Sequence, residues 1–98
     1  ELFSDKVYVY TPKGDIIELP KGSTPIDFAY KIHTDIGNTM VCAFVNDECV
    51  SVDYVVKNKD RVRIVTDILS YGPRKEWADI AKTSYARKRI KEFGGGIK

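Results

Sequence analysis

Residues 6–34 read KVYVYTPKGDIIELPKGSTPIDFAYKIHT, and this stretch decides the fold. Lys6 to Thr11 alternates β-branched and aromatic side chains, the period-2 pattern of a strand. Pro12-Lys13-Gly14 follows. Proline presets φ for the first turn position and Gly14 can take the left-handed conformation, which predicts a three-residue hairpin loop. Asp15 to Leu19 then returns as the second strand. Ser23-Thr24-Pro25 marks a helix start, because proline at the first helical position wastes no hydrogen bond and holds Thr24 in the extended conformation of an N-cap. Asp27, at the third helical position, forms a weaker version of the capping box and favours the helix dipole. The helix is expected to run to about His33–Thr34, with Gly37 available to end it. At 100° per residue, Pro25, Ala29 and Ile32 share one side, and Asp27, Lys31 and Thr34 the other. That places Asp27 on the polar face and His33 at the edge of the apolar one.

Working outward, Thr39 to Val45 reads as a well-buried strand, and Asn46-Asp47 as a tight turn into Glu48 to Val52. Asn58-Lys59-Asp60 is a further turn, and Arg61 to Thr66 closes the pattern with clean alternation. The order is hairpin, helix, hairpin, strand. One helix after an opening hairpin covers only one face of the resulting sheet, and the right-handed crossover rule places the third strand beyond the first hairpin strand or its neighbour. The expected class is therefore α+β: a β-grasp, or ubiquitin-like, mixed five-stranded sheet with one helix on one face. Residues 1–68 are assigned to it. Residues 69–98 are assigned to a linker and a basic helical tail, in which Trp77, Ile80, Ala81 and Ser84, then Ala86, Ile90 and Phe93, follow helical spacing with Thr83-Ser84 as a cap between two pieces. Neither piece has an evident partner, so the tail is expected to pack loosely, swap onto a neighbouring molecule or be partly disordered.

Composition narrows the function classes. With 43% hydrophobic and 31% charged residues, the 98-residue chain has the profile of one soluble globular domain. No apolar run approaches the ~18 residues of a membrane helix and no basic-then-apolar leader opens the chain, so membrane and secretory readings fall away. Glu1 at the start and Met40 as the sole methionine suggest a piece of a longer protein. Two cysteines and one histidine cannot supply a zinc or iron–sulfur ligand set within the chain, and a reducing cytosolic compartment is the simplest expectation. Residues 1–73 carry 8 Lys/Arg against 11 Asp/Glu, and residues 74–98 carry 8 against 3. The front of the chain is thus no general phosphate-binding surface, and any RNA contact there uses a few placed residues.

The candidates for chemistry each have a plain alternative. His33 either caps the helix end or presents an imidazole that stacks on an unpaired base and hydrogen-bonds a ribose hydroxyl. Lys13, at a hairpin tip, is a solvated turn lysine or meets a phosphate. Arg61 and Arg63, taken with Tyr8 and Tyr10, form either cross-strand cation–π pairs or a stacking platform for bases. The basic run Arg87-Lys88-Arg89-Ile90-Lys91 is a solvated helix face or a phosphate contact. Cys42 and Cys49 are expected as two small buried thiols in diagonal positions, without a disulfide. No serine or cysteine has a histidine partner, no carboxylate pair has acid/base spacing, and no phosphate-cradling glycine loop appears. No catalytic residue and no cofactor is expected.

Two blocks, Val9-Tyr10-Thr11-Pro12-Lys13-Gly14-Asp15 and Leu19-Pro20-Lys21-Gly22-Ser23-Thr24-Pro25 running on through Ile26-Asp27-Phe28-Ala29-Tyr30-Lys31-Ile32-His33-Thr34, closely resemble the TGS domain. That domain is shared by threonyl-tRNA synthetases, a group of GTPases and the Rel/SpoT enzymes. Gly72-Pro73-Arg74-Lys75-Glu76-Trp77 and Lys82-Thr83-Ser84 are similar to the segment that follows TGS in the Rel/SpoT branch, and the resemblance spans about residues 6–93. It implies a non-catalytic regulatory domain of a (p)ppGpp synthetase/hydrolase. Such a domain contacts the 3′ CCA end of uncharged tRNA on the ribosome, relays to the catalytic half, and in some members docks acyl carrier protein. His33, with Thr34, Lys13, Arg61 and Arg63, is the implied RNA-binding set. The sequence departs from the family pattern at Asp47 and Lys59, which stand on turn positions that favour glycine. It also departs at Arg63, where an acidic residue is frequent, and at Tyr85, where a basic residue is frequent. The alternatives are a TGS domain of a threonyl-tRNA synthetase or GTPase, or a ubiquitin-like sulfur carrier suggested by Gly94-Gly95-Gly96. A carrier needs a free terminal glycine just after the last strand. Here the glycines follow the helical tail and precede Ile97-Lys98.

Overall fold

The computed structural model describes residues 5–95; the final glycine of the Gly94-Gly95-Gly96 run and residues 1–4 and 97–98 of the two assigned segments lie outside it. Strands β1 (Lys6–Tyr10) and β2 (Ile16–Pro20) form the opening hairpin, with Val9 opposite Ile17 and Val7 opposite Leu19. Thr11 closes the loop. Its amide donates to the Asp15 carbonyl at 2.9 Å and its Oγ1 accepts from the Asp15 amide at 3.1 Å, which leaves Pro12-Lys13-Gly14 as the tip. Gly14 takes φ 96°, as the tip requires.

Strands β3 (Met40–Val45), β4 (Glu48–Val50) and β5 (Val62–Thr66) form a second sheet in the order β4-β3-β5, all antiparallel. Asn46 and Asp47 join β3 to β4 with φ 52° and 71°, the double left-handed geometry that matches strand twist in a two-residue turn. Among the described residues the two sheets meet through one parallel bridge, Tyr10 to Arg61, backed by hydrogen bonds from the Tyr10 amide to the Asp60 carbonyl and from the Lys59 amide to the Tyr8 carbonyl, both 2.8 Å. This is the expected β-grasp order, with the junction between β1 and β5 thinner than a continuous ladder. Lys59 accepts φ 74° to make its bond. Asp60 is buried and holds the turn from inside: its carboxylate accepts from the Asn46 side chain, the Tyr54 hydroxyl and the Lys57 amide at 3.0, 2.9 and 2.8 Å.

Helix α1 (Pro25–Ile32) crosses one face of the sheets. It ends one to two residues earlier than the spacing predicts, because His33 is extended (φ −171°, ψ 144°) and a second short helix, α2 (Thr34–Thr39), follows it. Gly37 lies inside α2 rather than ending a helix. A Cβ at that position would come within 2.5 Å of the Tyr30 ring, so the residue is small to let the aromatic ring pass.

The tail departs most from expectation. Helices α3 (Trp77–Ile80) and α4 (Ser84–Gly95) do not hang loosely; Trp77, Ala81, Ala86 and Ile90 are buried in one cluster with Ile26, Ala29, Tyr30, Met40 and Ala43. Val7, Val9, Leu19, Phe28, Val45, Val56 and Val62 form a second cluster between α1 and the strands. Helix α1 is therefore covered from two sides, and every residue from Pro25 to Tyr30 is buried. Burying a large apolar side chain of this kind contributes about 1.5–3 kcal/mol each, which is why apolar spacing in residues 77–90 is enough to dock the tail.

Asp27 corrects the helical-wheel reading. It is 1% exposed, not on a solvated face. One oxygen accepts from the Thr24 amide at 2.9 Å and the Thr24 hydroxyl at 3.1 Å, which completes the cap of α1. The carboxylate also accepts from the Lys82 amide (2.9 Å), the Thr83 amide (2.8 Å) and the Thr83 hydroxyl (2.8 Å). Thr83 in turn caps α4, its Oγ1 accepting from the Ala86 amide at 3.2 Å. The expected cap at Thr83-Ser84 is therefore present, with Asp27 behind it. Cys49 also departs from expectation: it is exposed, Cys42 is half-buried, and both are free thiols in the diagonal relation foreseen. No helix among the described residues is long and apolar enough to cross a membrane.

Replacing Asp27 by Ala should destabilise the chain by about 3 kcal/mol or more, since backbone amides of two helix starts lose a buried acceptor. Asp27→Asn should fall between, keeping one acceptor oxygen. Urea denaturation followed by Trp77 fluorescence reads this out, and a loss below about 1 kcal/mol for the alanine variant would contradict it.

Candidate nucleic-acid interface

A cleft of about 660 Å³ lies between the β2 end, the C-terminal turn of α1 and the start of α4. Leu19, Pro20 and Ile32 give it apolar surface, Lys6, Lys31 and His33 its basic groups, and Thr34, Thr83 and Tyr85 its hydroxyls. Lys6 lies 3.8 Å from Glu18 across the hairpin. The volume falls in the range of small-ligand sites.

His33 occupies the break between the two helices. Its amide donates to the Ala29 carbonyl at 3.1 Å, ending α1, and its Nδ1 accepts from the Asp35 amide at 3.0 Å, starting α2. Both alternatives raised by the sequence therefore fit one residue. The ring is a cap, yet its side chain is 66% exposed and the engaged Nδ1 leaves Nε2–H as an outward-available donor. Thr34 follows immediately, with Oγ1 2.8 Å from the Tyr85 hydroxyl of α4.

The other three sequence-derived candidates lie elsewhere. Lys13 is exposed at the hairpin tip. Arg61 ties that tip to the start of β5: Nη1 donates to the carbonyls of Thr11 and Pro12 at 3.0 and 3.1 Å, with the guanidinium 5.8 Å from the Tyr10 ring. Arg63 stacks over Phe44 at 4.3 Å rather than on a β1 tyrosine, and borders a small apolar hollow with Phe28, Ile32 and Ile64. The structure thus brings His33 and Thr34 together in the cleft and leaves Lys13, Arg61 and Arg63 outside it. Sequence reasoning missed Tyr85 and Lys31 as cleft residues. A signal existed for Tyr85, as an aromatic where the family pattern carries a basic residue.

Tyr30 forms part of the cleft wall and is 2% exposed, its hydroxyl donating to Asn38 Oδ1 at 2.8 Å. Burial raises its pKa far above the ordinary tyrosine value. Tyr54 is raised too, by burial first, then by its hydrogen bond to Asp60 and the charges of Asp60 and Glu48. No group of three or more His, Cys, Asp or Glu side chains among the described residues could hold a metal ion.

A hairpin, a capped helix and a crossing second hairpin, with an exposed histidine at the helix end, define a class. The chain belongs to the TGS domain family, whose pattern matches residues 7–66. More particularly, it is similar to a GTP pyrophosphokinase of Myxococcus xanthus, 48% identical over 93 residues covering 95% of this chain and 12% of that protein. It is also similar to a guanosine-3′,5′-bis(diphosphate) 3′-pyrophosphohydrolase of Aquifex aeolicus, 49% identical over 92 residues covering 94% of this chain and 13% of that protein. The Rel/SpoT resemblance is thereby borne out, and the chain spans about an eighth of the length of these relatives. Among solved structures, a GTP-binding protein of Pyrococcus horikoshii OT3 superimposes with a TM-score of 0.59 at 30% identity, covering 63% of this chain and 21% of that one.

The tyrosines offer a test of the cleft wall. A phenol whose pKa is raised by folding contributes stability that is intact below its unfolded value, about pH 10, and is lost as pH climbs toward the folded value. Absorbance titration should show Tyr30 and Tyr54 ionising late, with the last step coinciding with unfolding. In Tyr30→Phe that step should disappear; an unchanged titration would place Tyr30 outside the core.

Proposed function

We propose that this chain is the non-catalytic regulatory TGS domain of a bifunctional (p)ppGpp synthetase/hydrolase, a cytoplasmic GTP pyrophosphokinase of the stringent response. In this reading it engages the 3′ CCA end of uncharged tRNA on the ribosome and relays that state to the catalytic half. The observation that carries it is His33: an exposed imidazole with Nδ1 committed to the Asp35 amide, on the wall of a cleft large enough for a nucleotide. Likeness to enzymes of (p)ppGpp metabolism extends through the tail, over 95% of the chain, whereas the GTP-binding protein matches 63%. That difference favours the Rel/SpoT reading over a GTPase TGS domain.

The mechanism is steric and needs no bond to form. The Nε2–H of His33 donates to a ribose hydroxyl, Lys31 offers charge to a phosphate, and apolar Leu19, Pro20 and Ile32 take up the base. An aminoacyl group on the terminal hydroxyl adds bulk at the point where the free hydroxyl is held, so free ends bind better than esterified ones. Differential contact with RNA and with the catalytic half then biases a two-state equilibrium in the longer protein. Arg61 and Arg63 act outside this cleft, Lys13 meets a phosphate at the hairpin tip, and acyl carrier protein is a further partner of the same regulatory surface.

In the full-length protein, His33→Ala should abolish tRNA-dependent stimulation of (p)ppGpp synthesis while leaving the basal rate within about twofold. Alanine also removes a helix cap worth about 1 kcal/mol. His33→Asn keeps a cap acceptor without the imidazole and should be equally unresponsive. Restored stimulation in the asparagine variant would reduce His33 to a cap; unchanged stimulation in both would remove it from sensing.

A further inference from the structure

Tyr85 stands outside the segment that defines the TGS family, yet it lines the same cleft as His33. Tyr85 is 47% exposed, yet two contacts hold it. The hydroxyl meets Thr34 Oγ1 at 2.8 Å, and the Arg89 guanidinium lies 5.1 Å from the ring centroid, itself held by Glu92 at 2.7 Å. The helix that carries it is fixed at its first turn, because Asp27 takes the amides of Lys82 and Thr83, three and two residues upstream of Tyr85. A half-exposed aromatic ring locked in this way loses little conformational freedom when a flat partner lands on it. Apolar Leu19, Pro20 and Ile32 continue the surface, and Lys31 and His33 supply the polar rim. Rings beside cations are the general recipe for holding unpaired bases.

We infer that the recognition site is composite: α4 lends Tyr85 as the aromatic wall on which the unpaired base at an RNA 3′ end stacks, beside the corner formed by His33 and Thr34. This rests on the RNA-end reading of the cleft given above. The tail is then part of the binding site, and Asp27, by setting the register of α4, is a positioning residue for it.

The test uses the 98-residue chain and a short RNA ending in single-stranded CCA with a free 3′ hydroxyl, its terminal adenine replaced by 2-aminopurine. Binding to the unaltered chain should quench the fluorophore by stacking. Tyr85→Phe keeps the ring and should hold both affinity and quenching within about twofold. Tyr85→Leu keeps bulk and should lose roughly 5- to 150-fold in affinity, the range of one base–aromatic stack, together with the quenching. Thermal melting of each variant separates a folding defect, and quenching lost at saturating Tyr85→Leu protein supports stacking even where stability falls. If His33→Ala loses binding while Tyr85→Leu binds and quenches like the unaltered chain, the RNA-end reading stands and the composite site is wrong. If the unaltered chain shows no saturable binding of this RNA, both are wrong.

Discussion

One buried carboxylate organises this molecule. Asp27 sits where two chain segments converge, and its two oxygens satisfy amides at the starts of both α1 and α4. Helix starts leave backbone donors without partners inside the helix, and a buried start has no water to turn to. A single anion placed between two such starts serves both, and lies at the positive end of each helix dipole. The tail can close over α1 only because this polar contact is satisfied inside an otherwise apolar seam of Ile26, Ala29, Trp77, Ala81 and Ile90.

The segments most legible in the sequence are those whose determinants are local. Pro12-Lys13-Gly14, Thr24-Pro25 and Asn46-Asp47 each impose their backbone within a few residues, and each appears where the chain predicts it. The alternation of Lys6 to Thr11 and Arg61 to Thr66 likewise fixes strand and face. The failures are non-local. A helical wheel puts Asp27 on a polar face because it contains no information about residues 82 and 83, more than fifty positions away. The tail's apolar spacing is readable, but its partner surface, formed by Ile26, Ala29 and Tyr30, lies some fifty positions earlier in the chain. Cys49 reads as buried because a free thiol packs as a small hydrophobe, yet β4 is a three-residue edge strand and one of its faces meets water.

The same distinction runs through the site. His33 was legible as a boundary residue, and its double use as a cap and an exposed donor follows from the sharp break between α1 and α2. Arg61 and Arg63 were legible as basic residues beside aromatics, but which aromatic each meets depends on sheet register. Arg61 spends its guanidinium on hairpin carbonyls and Arg63 on Phe44, so part of the basic surface suggested by composition is engaged in holding the fold. Tyr85 required the tail to be placed before its neighbourhood existed.

The contact between Gly37 and Tyr30 carries an evolutionary corollary. Because the ring occupies the space a methyl group would need, neither position is free to drift alone. Lineages in which a larger amino acid arises at 37 should show a compensating reduction at 30, and with it a hollowed cleft floor and a lost tether to Asn38. Linked variation at these two sites would therefore be a historical record of changes in cleft depth.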